Sequence, residues 1–250
     1  MKKFKSIVYF LLLTFLLTSS GLTALREDYV NVVQRFVNSI KKNDKKELSQ
    51  FVSLPLKRRT PIPSIETKKE FIKRFDEVFD AKLINIITTS EISDWSDVGS
   101  NGIMLKDGII WLTLAGNLLA VNYESEIETK MIDDMIKNSK KNLHSSLHSF
   151  IEPVAEFKTK KFYIRIDKLE NDNYRYAVWP VEKSSKEKPD MIINNGKMGR
   201  DRGVDIYTFT NGNYHYSCKL FWDFDETYGD LEVYKKEKLL LSQPIIKRIK

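Results

Sequence analysis

The sequence has only one cysteine, Cys218, and only three histidines in 250 residues. A single thiol excludes a disulfide within the chain, so the fold has to form without covalent cross-links. We expect Cys218 to be a buried, inert thiol in a strand. The HExxH pattern of zinc peptidases is absent, as is a Gly-rich loop followed by Lys-Ser or Lys-Thr. Both absences exclude the corresponding motif-based enzyme classes.

The excess of positive over negative charge is also modest. The formal net charge is +7, and Lys2, Lys3 and Lys5 supply three of those charges, which leaves +4 for the rest of the chain. So mild an excess, spread along the sequence, excludes the dense basic surface of a nucleic-acid-binding protein. Hydrophobic residues make up 42% and aromatic residues 12% of the chain. This composition excludes a disordered chain and predicts one large or two ordinary domains.

Long apolar runs are missing except near the start of the chain. Met1–Lys5 is positively charged, an apolar run of 11 residues follows, and Ser19–Gly21 supplies small residues. This order predicts a signal peptide over 1–24, cleaved after Gly21 or after Ala24. An uncleaved membrane anchor is the alternative interpretation, although the run is short for a bilayer span. We therefore expect a periplasmic or secreted protein with no membrane span after signal removal.

Residues 25–125 change from a helical to a strand period. Apolar spacings of three and four predict a helix over 26–42. Asp44 with Glu47 predicts the capped start of a short helix that ends near Phe51. Thr67 with Glu70 predicts the start of a further capped helix, and the apolar residues over 83–87 predict one more short helix. Short apolar runs over 103–105, 109–114 and 118–123 then predict a three-stranded antiparallel meander.

Two stretches of this half carry a family resemblance. "SLPLKRRTPIPSIETKKEFIKRFDEVFD" (53–80) and "SDWSDVGSNGIMLKDGIIWLTLAGNLLAVNY" (93–123) resemble segments of exported bacterial proteins of unknown function. The order of helices followed by a curved sheet resembles the NTF2-like cone. The resemblance implies an NTF2-like α+β domain over 25–125, in which helices cover a bent sheet and leave a pocket. That superfamily contains enzymes, binding modules and structural proteins, so the fold alone implies no single function.

A pocket in this half would place two carboxylates beside tryptophans, which suits a sugar or a cation. The candidate ligand-binding residues are Asp94, Trp95, Asp97 and Trp111. The alternative interpretation is that Ser93–Trp95 caps a turn while the tryptophan fills the core. No acid–base pair that matches the catalytic dyads of the superfamily's enzymes is evident, so no catalytic residue is predicted.

Residues 126–153 predict a helix that links the two halves, because neither Gly nor Pro interrupts them before Pro153. His144, His148 and Glu152 are spaced by four, and two imidazoles on one helical face can chelate zinc. The segment HSSLH lacks the glutamate that would activate a water molecule. Two solvated histidines explain the pattern equally well, so we predict neither a metal site nor a cofactor.

Residues 154–250 predict a mostly β domain, a small barrel or sandwich, because apolar residues alternate with polar ones. The strands are expected near 162–166, 174–178, 206–210, 214–219, 231–234 and 239–241. Gly196–Gly203 is a basic, Gly-rich segment in which Arg200 or Arg202 is a candidate anion ligand, although a surface hairpin loop is the simpler interpretation. The acidic residues from Asp223 to Asp230 are expected to form a solvated turn.

The sequence favours an exported, non-enzymatic binding or accessory module of the cell envelope, whose ligand or protein partner is unknown. Its support is the lack of an activated nucleophile and of a cofactor motif. One alternative is a hydrolase with a carboxylate-based site at Asp94 and Asp97. Another is an inhibitor or immunity-type protein that acts on a secreted partner.

Overall fold

The computed structural model describes residues 25–221 and 228–249 and has a mixed α+β fold, in which helices precede a large curled antiparallel sheet. The predicted signal peptide over 1–24 lies outside the described residues. So do Asp223 and Asp225 of the predicted acidic turn. Among the described residues, no helix combines the length and the apolar character needed to cross a membrane.

Four helices open the described chain: α1 (Glu27–Lys42), α2 (Lys45–Gln50), α3 (Lys68–Val78) and α4 (Ala81–Thr88). The capping predictions are confirmed, because Asp44 accepts a hydrogen bond from the Glu47 amide at 2.9 Å and Thr67 accepts one from the Glu70 amide at 3.1 Å. Each cap satisfies an amide that has no partner within its helix. The chain therefore begins these helices where the sequence says it should.

A four-stranded antiparallel sheet follows, in the order β1 (Trp95–Asp97), β2 (Ile103–Leu105), β3 (Ile110–Leu112) and β4 (Leu118–Val121). The predicted meander corresponds to β2, β3 and β4. Gly108 and Gly116, with φ of +83° and +87°, lie in the two turns that connect these strands. Strand β1 is additional, because its short sequence reads as a turn and it forms only by pairing with β2.

The core of this half lies between the helices and the four-stranded sheet. Three phenylalanines of α3 and its C-terminal end pack in series: Phe71 and Phe75 meet edge to face with ring centroids 5.8 Å apart, and Phe75 and Phe79 stack with centroids 4.6 Å apart. Aromatic side chains of this size contribute much of the apolar area that a small domain buries. The three rings lie in the same buried cluster as Leu105 and Leu112 of the sheet, so they form part of the contact between the helices and the sheet.

Helix α5 (Glu126–Lys141) is shorter than the predicted linking helix over 126–153. It ends where Asn142 leaves the helical conformation and the His144 amide donates to the Ser185 carbonyl, an acceptor that only the folded chain supplies. The chain then forms a short 3-10 turn and enters a strand at Glu152. His144, His148 and Glu152 therefore do not share one helical face, and that expectation was wrong.

The second half forms one nine-stranded antiparallel sheet that curls into a half-barrel, in the order β12-β11-β10-β9-β8-β7-β6-β5-β13. Its strands are β5 (Glu152–Lys158), β6 (Phe162–Lys168), β7 (Tyr174–Pro180), β8 (Met191–Asp201), β9 (Val204–Asn211), β10 (Tyr214–Phe221), β11 (Gly229–Lys235), β12 (Lys238–Pro244) and β13 (Lys247–Arg248). The Asn211–Gly212 hairpin between β9 and β10 is confirmed. Cys218 is fully buried in β10, and burial raises the pKa of its thiol.

The predicted Gly-rich loop over 196–203 is instead the end of β8 and a tight turn, so the loop interpretation was wrong. Arg202 and Gly203 make the turn with φ of 45° and 84°. Gly196 lies within the strand because the ring of Phe209 on β9 occupies the space that a side chain there would need. The glycine marks close packing rather than a loop.

We expect Gly196→Ala to destabilise the protein by about 1–3 kcal/mol, which is the usual effect of overpacking a core. The added Cβ would overlap the Phe209 ring and lie 2.9 Å from the Tyr174 carbonyl oxygen. Gly199→Ala is the matched control, because no neighbouring atom lies within 4 Å of its added Cβ. Urea unfolding measures both variants, and equal stabilities would contradict this account of the strand.

Candidate functional site

A cavity of about 1100 Å³ lies where the first half meets the curled sheet. One wall is the proline-rich loop over 55–66, and a second is the C-terminal part of α5 with Ser139 and Leu143. The sheet supplies the third wall, from β5, β6, the β8–β9 turn and the C-terminal strand β13. The volume is slightly above the usual range of about 300–1,000 Å³ for small-molecule sites.

Arg165 on β6 is the buried charge of this cavity, with a side chain that is only 1% exposed. Its Nε donates to Asp167 Oδ1 at 2.7 Å, and its Nη1 donates to Glu156. Nη2 lies 2.6 Å from Asp167 Oδ1 but makes no hydrogen bond of acceptable geometry. Burial by itself would lower the pKa of Arg165, but the charges of Asp167 and Glu156 outweigh it and raise that pKa.

Arg175 extends this ion-pair network behind the cavity. Its Nη2 donates to Asp167 Oδ2 at 2.5 Å and to the Leu147 carbonyl at 2.7 Å. The ring of Phe150 covers the guanidinium groups of Arg165 and Arg175, with centroid distances of 5.0 and 5.8 Å. The segment that follows α5 therefore buries the second face of β6 and β7, and the paired charges there keep fixed positions.

Arg200 and Arg248 lie at the rim of the cavity around one carboxylate. Arg200 Nε donates to Asp205 Oδ1 at 2.6 Å, and the Arg200 side chain remains 63% exposed. Burial lowers the pKa of Arg248, and the neighbouring Tyr207 and Asp205 only partly offset that effect. Both guanidinium groups thus lie in the field of Asp205.

The loop wall is held in place by Arg58, which makes an ion pair with Glu128 in the first turn of α5. Both side chains are 2% exposed, and the nitrogen–oxygen distances are 2.7 and 2.5 Å. The same guanidinium donates to the carbonyls of Val121 and Tyr123, each at 2.7 Å. One side chain therefore connects the loop, strand β4 and helix α5.

The lining of the cavity is both charged and apolar. Basic side chains are Lys57, Arg58, Arg165, Arg200 and Arg248, and acidic ones are Glu66, Glu156 and Asp205. Apolar residues include Pro55, Pro61, Ile62, Leu143, Val154 and Ile249. Among the residues described, no group of three or more His, Cys, Asp or Glu side chains is arranged to hold a metal ion. Such a lining can orient a charged group and cover an apolar body at the same time.

The four candidate residues from the sequence do not line this cavity. Asp94 accepts a hydrogen bond from the Glu91 amide, and Asp97 accepts one from the Gly99 amide. Trp95 is buried, and its Nε1 donates to Ser90 Oγ at 3.0 Å. Trp111 is half-buried on β3. Asp94 and Trp95 thus lie together where β1 begins, and both make contacts within the fold. Ligand binding by the four residues stays a prediction.

Sequence reasoning overlooked most of the cavity. Arg165 and Asp167 alternate with apolar residues along β6, so they read as the solvated face of a strand, whereas the structure buries both. The available signal was the run of three basic residues from Lys57 between prolines, which is unusual for a structural loop. Arg200, considered as a candidate anion ligand from its Gly-rich surroundings, does line the cavity.

Comparison of the chain with protein-family models, with curated proteins and with solved structures gives no match. The cavity, with its shape and its charges held in fixed positions, is therefore the feature that bears on function.

We expect Arg58→Met to destabilise the protein by about 3–5 kcal/mol, because it leaves the Glu128 carboxylate buried without its counter-ion. The double variant Arg58→Met/Glu128→Leu should recover part of that loss. Arg59→Met is the control: its ion pair with Glu124 is exposed, and losing it should cost about 0–1 kcal/mol. Denaturant unfolding distinguishes them, and equal losses at Arg58 and Arg59 would contradict the anchoring role.

Proposed function

We propose that this protein is an exported, non-enzymatic binding module that holds a small ligand in the cavity between the loop over 55–66 and the curled sheet. The ligand comes from the cell envelope or from outside the cell. The cavity carries this proposal: it is large enough for a small organic molecule, and its walls come from three separate parts of the fold.

Two of the three carboxylates that line the cavity are engaged by guanidinium groups, which favours binding over catalysis. Glu156 accepts a hydrogen bond from Arg165, and Asp205 accepts one from Arg200. A general base needs a free lone pair directed at the substrate, and these oxygens are directed at guanidinium groups. The hydrolase alternative gains no support either, because Asp94 and Asp97 accept hydrogen bonds from backbone amides of their own turns.

We also propose that residues 25–125 form an NTF2-like domain and that residues 154–250 form a β domain, connected through 126–153. Two separate clusters of buried residues support this division, one confined to the first half and one to the second. Export is supported by the charged and apolar order of residues 1–24, which is that of a signal peptide.

The cavity is tested by the fluorescence of a neutral apolar dye, N-phenyl-1-naphthylamine, titrated with the chain that lacks residues 1–24. We expect saturable binding to the wild type. Ser139→Trp should weaken it at least about tenfold, because Ser139 lines the cavity and the indole would occupy the space of the dye. Asn138→Trp is the matched control, since it adds the same side chain at an exposed position of α5 that does not line the cavity.

Thermal unfolding of all three proteins checks that the tryptophans leave the fold intact. Equal affinity for the dye in Ser139→Trp and Asn138→Trp would contradict the assignment of the cavity. Absence of saturable binding in the wild type would contradict it as well.

Export has its own test. We expect N-terminal sequencing of the protein made with its leader, in a bacterial host and outside the cytoplasm, to begin at Leu22 or Leu25, as the small residues before each position predict. An intact Met1 on the recovered protein would contradict cleavage.

A further inference from the structure

We propose that the cavity binds an amphipathic anion, a small molecule with an apolar body and one carboxylate or phosphate head group. The inference rests on the proposed function, because it names the class of ligand that the same cavity takes. Two features carry it: the exposed guanidinium of Arg200 at the rim and the apolar loop wall opposite.

The charged groups deep in the cavity are paired, whereas the rim carries an exposed cation. Arg165 and Arg175 form ion pairs with Glu156 and Asp167. Arg200 lines the cavity, its side chain is 63% exposed, and only its Nε has an acceptor among the described residues, which is Asp205. Its Nη1 and Nη2 donors are therefore available to one anionic head group, and guanidinium groups bind carboxylate and phosphate oxygens well because their donors form a rigid planar fork.

The opposite wall suits an apolar body rather than a fully hydrated ion. Pro61 and Ile62 are buried loop residues that line the cavity, and Leu143 faces it from just beyond α5. Their position is fixed by the ion pair of Arg58 with Glu128. An inorganic anion would leave this surface uncovered, whereas an alkyl or aryl group would bury it.

Displacement of the neutral dye by four compounds with the same ten-carbon chain tests the inference: decanoate, decyl phosphate, decanol and decyltrimethylammonium. We expect an anion to displace the dye at a concentration at least about tenfold lower than decanol, since a hydrogen bond to a charged group contributes on that order. The better of the two anions identifies the head group as carboxylate or phosphate. The cation should displace the dye least.

Two variants of the rim should move this preference in opposite directions. Arg200→Gln removes the exposed guanidinium, so the anions should lose most of their advantage over decanol. Asp205→Asn removes the carboxylate that competes for Arg200, so the advantage should grow. Lys197→Gln is the control: it removes one exposed cation from the same strand, and Lys197 does not line the cavity.

Equal displacement by decanoate, decyl phosphate and decanol in the wild type would overturn the inference, as would a failure of all four compounds to displace the dye. An equal loss of preference in Arg200→Gln and Lys197→Gln would overturn it too, because it would reflect net charge rather than the rim. In each case the dye still reports on the cavity, so the proposed function is judged separately.

Discussion

The ion pair between Arg58 and Glu128 is the interaction on which the rest of the structure depends. The Arg58 guanidinium donates to the carboxylate of Glu128 and to two carbonyls at the end of β4, all away from solvent. A buried cation is tolerated only when its donors have acceptors, and here four polar contacts from three elements meet at one side chain. Helix α5 is held against the first half by this contact and by Ser125, which donates to the Glu77 carbonyl.

The other end of α5 is fixed to the curled sheet by different means. The segment after the helix places Leu147 and Phe150 over β6 and β7, where they pack with Tyr163 and Trp179. Arg175 donates to backbone carbonyls of that segment and so secures it. With both ends of the connection anchored, the loop over 55–66 faces the sheet at a set distance, and the cavity is the space that remains between them.

Local signals allowed much of the fold to be predicted, because caps and short apolar periods act within a few residues. The starts of α2 and α3, strand β2 and the Asn211–Gly212 hairpin belong to this group. The end of α5 could not be predicted, since it depends on the Ser185 carbonyl, which lies far away in sequence. Strand β8 was missed for a similar reason: its Gly196 is explained by the ring of Phe209 on the next strand.

The cavity was harder to predict than the fold. An alternating strand such as β6 indicates two different faces but not whether the polar face is solvated. Arg165 and Asp167 are buried there only because residues 145–150 return over the sheet, which no local pattern encodes. Asp94 and Trp95 were candidates because of their residue types. The contacts they make fit the alternative interpretation, a capped turn with a tryptophan in the core.

A crystal structure of the chain without residues 1–24, grown with the better of the two ten-carbon anions, tests the central claim most directly. The account predicts the head group within about 3 Å of a guanidinium nitrogen of Arg200 or of the neighbouring Arg248, with the alkyl chain against Pro61 and Ile62. A ligand bound elsewhere, or a loop over 55–66 collapsed onto the sheet with no space between them, would contradict it.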